Sequence, residues 1–123
     1  MDGLRTLIFD IDGTICPQCE GDYENLKPYP KAVEAINKLH EEGHKIIFYT
    51  ARFMGRTNND VIETHKQGYD FTKNQLESWG LKFHELHMGK PRGDIIIDDR
   101  SVFFKPDWKE IYKKCTSKTE IKN

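Results

Sequence analysis

Short apolar runs alternate with polar stretches along the chain, and the period of each run predicts an element. Residues 4–9 are apolar and rich in β-formers, which predicts a strand breaking at Asp10-Ile11-Asp12-Gly13-Thr14. Residues 20–30 are polar and carry glycine and proline, hence a loop. Pro30 suits a helix start, Ala32, Val33, Ala35, Ile36 and Leu39 recur at helical spacing, and Gly43 stops the helix. Residues 45–49 predict a second strand ending at Thr50-Ala51-Arg52. Two short helices are expected over about 58–68 and 71–79, the second capped by Gly80. A third strand is expected over 82–87. After the tight loop 89–93, a fourth, fully buried strand is expected over 94–97. A last helix covers 108–114, and the polar residues beyond Thr116 read as a frayed tail.

Strands and helices alternating at this rhythm imply right-handed βαβ units. The expectation is a single α/β, Rossmann-like, three-layer domain over 1–115, with a parallel sheet, helices on both faces and a tail over 116–123.

Composition narrows the class. A chain of 123 residues with 37% apolar and 11% aromatic residues holds one modest core. Its 19 basic residues against 20 acidic ones argue against non-specific nucleic-acid binding. No apolar run is long enough to span a bilayer, so no membrane partner is expected. No apolar segment of the signal-peptide kind follows the first Met, which reads as a cytoplasmic protein. Cys16-Pro17-Gln18-Cys19 has the spacing of a zinc or redox pair. It lacks a second ligand pair, and ordinary loop thiols are the expectation for all three cysteines, Cys115 included.

In an open α/β sheet ligands gather at the carboxyl ends of the strands, and polar residues concentrate at those places here. The first predicted strand delivers Asp10 and Asp12, the second Thr50, the fourth Asp98 and Asp99, with Lys90 in the preceding loop. Carboxylates converging on one edge repel unless a cation holds them, and an all-oxygen donor set favours Mg²⁺. Lys90 and the Thr50 hydroxyl would donate to an anion beside that metal, which describes a phosphoryl site. Arg52 and Arg56, just past Thr50, are candidates for substrate binding.

Leu7-Ile8-Phe9-Asp10-Ile11-Asp12-Gly13-Thr14 resembles the first motif of the haloacid dehalogenase superfamily of phosphotransferases. Thr50 after Ile46-Ile47-Phe48-Tyr49 is similar to its second motif, Lys90 in Gly89-Lys90-Pro91 to its third, and Ile95-Ile96-Ile97-Asp98-Asp99 to its fourth. The resemblance implies that Asp10 is a nucleophile forming an aspartyl-phosphate and that Asp12 is the general acid and base. It implies Mg²⁺ held by Asp10, the Asp12 main-chain carbonyl and Asp98, with Asp99 a ligand through water or a partner of Lys90. Thr50 and Lys90 would bind the phosphoryl oxygens.

The Thr-Ala-Arg and Ile-Asp-Asp-Arg contexts resemble small phosphatases found with capsule and surface-polysaccharide synthesis. The intervals 15–29 and 51–89 are too short for a cap domain. An open mouth is therefore expected, closed over by the loop 16–30 or by a neighbour in a homo-oligomer. The expected activity is hydrolysis of a small phosphomonoester such as a sugar or polyol phosphate. The alternatives are transfer to a sugar or alcohol acceptor, or a non-catalytic metal-binding protein.

Overall fold

Thr6, Leu7, Ile8 and Phe9 form the first strand, β1 (Thr6–Phe9), in a computed structural model that describes residues 3–117. The expected tail lies, from residue 118 onward, outside the described residues. Helix α1 (Pro30–Glu41) follows, then β2 (Lys45–Thr50), α2 (Val61–Ser78), β3 (Glu85–Met88) and α3 (Trp108–Thr116). The strands lie in the order β1-β2-β3, all parallel, with Phe9 opposite Phe48 and Thr50 opposite Met88. The molecule is thus an α/β protein with a parallel, Rossmann-type core and, among the described residues, no cap domain. None of its described helices is long and apolar enough to cross a membrane.

Local chemistry accounts for the helix boundaries. Pro30 occupies the first turn of α1, where a missing N–H costs nothing. Asp60 caps α2 by accepting from the Glu63 amide at 3.1 Å, and Asp107 caps α3 by accepting from Glu110 at 3.1 Å.

The core forms on one face of the sheet. Phe9, Ile46, Phe48, Leu86 and Met88 are buried and cluster with Ala32, Ile36 and Leu39 of α1, Leu76 of α2 and Trp108 of α3. Their neighbours along the strands point the other way. Ile47, Tyr49 and Glu85 are half-buried, and Ile8 is 64% exposed. The three helices therefore pack against one face, and the second helical layer expected from sequence is not built by the described residues.

Two further expectations are corrected. The segment 58–79 holds one helix of 18 residues rather than two. Its inner side reads Thr64, Gly68, Thr72, Leu76, a stripe too polar and small to announce a single amphipathic helix. Gly68 sits mid-helix because the Phe53 ring lies where a side chain would be: a Cβ there would meet Phe53 Cδ2 at 2.3 Å. Phe53 itself adopts φ 68°, an unusual conformation for a bulky residue, fixed by this packing and by its contact with Tyr23 at 5.2 Å between ring centroids.

The fourth strand is also absent. Residues 94–97 are unpaired, with Ile95 81%, Ile96 62% and Ile97 96% exposed. The physical reason is chain length. A parallel strand needs a crossover of about a dozen residues, and only residues 89–93 separate β3 from this segment.

Gly68→Ala tests the packing account by its sign. Ala gains roughly 1 kcal/mol over Gly in helix propensity, but overpacking against the Phe53 ring costs about 1–3 kcal/mol. Denaturant unfolding should show a net loss of stability, and a gain would contradict the contact.

Candidate active site

The site begins where β1 ends. Beyond Phe9 the backbone turns tightly: the Thr14 and Ile15 amides donate to the Ile11 carbonyl at 3.1 and 2.9 Å, and the Gly13 amide to Cys16 O at 2.8 Å. Gly13 takes φ +81°, and a Cβ there would stand 3.0 Å from Gln18 Oε1, so the position calls for glycine. The turn places Asp10 and Asp12 at the carboxyl edge of the sheet.

Parallel pairing brings their partners alongside. Thr50 ends β2, and the Lys90 amide donates to the Thr50 carbonyl at 3.1 Å, which holds the β3 loop against it. Lys90 Nζ then stands 3.7 Å from Asp10 Oδ2. The Thr50 hydroxyl oxygen accepts from the Arg52 amide at 3.0 Å and keeps its own proton to donate. Asp10, Asp12, Thr50 and Lys90, expected together from sequence, thus converge on one edge. Burial pushes the Asp10 carboxyl above its ordinary value; Lys90 opposes this and the Asp12 charge adds to it.

Arg52 has another place than expected. Instead of projecting toward a substrate it is 1% exposed, and its Nε and one terminal nitrogen each reach an Asp12 carboxylate oxygen at 2.9 Å. The other terminal nitrogen donates to Gln75 Oε1 at 2.6 Å, and the guanidinium lies 4.6 Å from the Tyr23 ring centroid. Gln75 in turn donates to the Tyr23 carbonyl at 2.6 Å. Gln75 and Tyr23 escaped the sequence reading. The one trace they leave is a polar residue beside the inner stripe of α2, because their partners lie 23 and more residues away. Arg56 is exposed, with its guanidinium over Phe53 at 4.5 Å and donating to Gly21 O at 3.2 Å.

Asp98 and Asp99 do not join the others within the chain. Both are exposed, on the arm that follows Lys90, and Asp98 Oδ1 accepts from the Arg100 amide at 2.8 Å. Among the described residues no three His, Cys, Asp or Glu side chains gather as a metal centre. The expected set of Asp10, Asp12, Asp98 and Asp99 is therefore not assembled among the described residues, because Asp98 and Asp99 sit on an exposed, unpaired arm rather than at the end of a fourth strand beside β1.

The cysteines are free thiols. Cys16 is buried with Sγ 3.4 Å from Asp12 Oδ1, and burial together with the Asp12 charge pushes its thiol up to about 12. It is a neutral donor to Asp12 rather than a metal or redox thiolate.

Comparison with known proteins agrees with this geometry. Residues 7–71, more than half the chain, match the haloacid dehalogenase-like hydrolases. The chain belongs to that family. It is also similar to a protein of known crystal structure from Vibrio cholerae, with 25% identity and a TM-score of 0.74 over 90% of this chain and 98% of that one. No curated protein matches.

Two outcomes check the electrostatics. Removing the guanidinium in Arg52→Met strands the largely buried Asp12 charge, and unfolding should show a loss of about 3 kcal/mol or more. A substrate-binding role would instead leave stability intact and weaken affinity alone. Asp10 gives a pH signature. A carboxyl raised on folding contributes stability at low pH that is lost as pH rises through its folded value. In chelator, Asp10→Asn should melt higher than the unaltered protein at pH 7, and the gap should close as pH falls into the carboxylate range.

Proposed function

We propose that the chain is a Mg²⁺-dependent phosphomonoester hydrolase that works through an aspartyl-phosphate on Asp10. One observation carries this reading: a carboxylate at the end of the first strand, with Lys90 at 3.7 Å and a second carboxylate, Asp12, two residues on.

Asp10 Oδ attacks phosphorus in line, the P–O bond to the carboxylate forms, and the bond to the leaving alkoxide breaks. Lys90 and the Thr50 hydroxyl bind the phosphoryl oxygens and take up charge as it develops. Asp12 gives a proton to the leaving oxygen, then takes one from the water that cleaves the acyl phosphate and frees inorganic phosphate. In the observed arrangement Arg52 occupies both oxygens of Asp12. A small rotation about the Asp12 side chain releases one oxygen toward the leaving group while the other keeps its place on the guanidinium.

The donor chemistry suits a hard cation. The two carboxylates, the Asp12 main-chain carbonyl and the Thr50 hydroxyl are oxygen donors, and Lys90 at 3.7 Å is the cation placed against Asp10. Asp10, the Asp12 main-chain carbonyl and Asp98 would hold Mg²⁺, with Asp99 reaching it through water or pairing Lys90. When bound, the ion supplies charge neutralisation for the phosphoryl transfer. The Asp10 carboxylate is 36% exposed and no cap covers it among the described residues, so the mouth admits a bulky ester as well as the small sugar or polyol phosphate proposed, of the kind handled in surface-polysaccharide synthesis.

A panel of sugar and polyol phosphates with Mg²⁺ tests the reading, with phosphate release expected. Asp10→Asn should abolish turnover. Asp12→Asn should lower it by about two to four orders of magnitude, and EDTA should stop a reaction that Mg²⁺ restores. Near-full rate in Asp12→Asn on an ester with a poor leaving group would contradict its role.

A further inference from the structure

The arm between β3 and α3 carries three isoleucines that no described element of its own chain covers. Every residue from Pro91 to Arg100 is exposed, and the three consecutive isoleucines at its centre are the most β-prone run of the segment. Three adjacent apolar, β-prone side chains on an unpaired backbone have the makings of a strand without a sheet.

A sheet edge of matching length lies open in the same fold. β1 pairs with β2 alone, and among the described residues no backbone group bonds to its outer edge. Beside that edge Ile8 is exposed, on the face the helices leave uncovered. All-parallel sheets are ordinarily covered on both faces and continue with apolar strands, so β1 has the character of an interior strand placed at a margin.

The arm cannot reach that edge in its own chain. Lys90 is pinned to Thr50 at the carboxyl end of the sheet. A parallel strand beyond β1 starts at the opposite end, about 14 Å across three strand spacings and about 13 Å down the length of β1. The four steps from Lys90 to Asp94 span at most about 14 Å even when fully extended. A second copy is under no such limit. Laid parallel to Thr6–Phe9 of another chain, residues 94–97 match it residue for residue, and the next residue, Asp98, falls beside Asp10. The way back is long enough, because residues 98–107 lead to α3, whose Trp108 is docked on Phe9 of its own chain with ring centroids 6.2 Å apart.

We propose that two copies of this chain exchange their arms: residues 94–97 of each add as a parallel strand to the outer edge of β1 in the other, and Asp98 of the partner subunit completes the carboxylate site around Asp10. The exchange rests on the fold alone; the role it gives Asp98 rests on the phosphatase reading. The exchanged strand sets Ile95 and Ile97 on the helix-packed face beside Leu7 and Phe9 and Ile96 beside Ile8, supplies the missing fourth strand, and assembles from two chains the metal ligands that stand apart in one.

Sedimentation equilibrium and paired inactive variants test it. The unaltered protein should sediment with the mass of two chains, and the double variant Ile95→Asp, Ile97→Asp with the mass of one. Its helical circular dichroism should be unchanged, since both positions are exposed in the single chain. A monomeric unaltered protein, or a double variant that stays dimeric, overturns the exchange whatever the enzyme does. Asp10→Asn and Asp98→Asn, each inactive alone, should regain about a quarter of full activity when co-expressed, because half the dimers are mixed and each mixed dimer has one intact site. If the unaltered protein hydrolyses phosphate esters and the mixture stays inactive, supply of Asp98 across the interface is overturned. If it hydrolyses none, the phosphatase reading falls, and the masses still decide the exchange.

Discussion

A guanidinium removed from water must be met by charge and hydrogen bonds, and Arg52 is where this protein accepts that constraint. Its guanidinium draws three parts of the chain to the end of β2: the turn after β1 through Asp12, α2 through Gln75, and the loop before α1 through the Tyr23 ring. Each partner is itself tied down, as Gln75 is to the Tyr23 carbonyl and Asp12 to the Cys16 thiol. The orientation of Asp12 is therefore inherited from a buried network rather than from the loop that carries it. This is the kind of support a reacting carboxylate needs to sit within a fraction of an ångström of its task.

The two carboxylates at the end of β1 live in different surroundings. Asp10 faces outward with a lysine near it and is burdened by burial and by its neighbour's charge. Asp12 turns inward onto an arginine fork. In the proposed reaction the first would take a cation and the phosphoryl group and the second would move a proton, and the backbone turn at Gly13 and the strand pairing give the same residue type these two environments.

Much of this could be read from the residues in order. Apolar runs of strand length around Phe9 and Phe48, each closing on a reactive side chain, announced both strands and the edge on which Asp10, Asp12, Thr50 and Lys90 meet. Helix α1 was legible because proline, period and glycine agree locally. The failures share one cause: they depend on partners distant in sequence. Gly68 looked like a helix break, whereas it is a seat for the Phe53 ring. Arg52 looked like a substrate-binding cation, since nothing near it in sequence reveals Tyr23 and Gln75. Ile95-Ile96-Ile97 has every mark of a buried strand, yet a strand is defined by an edge it can reach, and the distance from Lys90 forbids that edge within one chain. In each case local chemistry was read correctly and the connectivity overrode it.

The proposed chemistry turns on the Asp10 carboxylate as the group that takes the phosphoryl. Acid quenching during turnover of a phosphate ester, followed by borohydride reduction and peptide mass spectrometry, addresses this directly. Reduction of an acyl phosphate converts aspartate to homoserine, and that change is expected at position 10 alone. Homoserine at another aspartate, or rapid turnover that leaves no aspartate reducible, would contradict it.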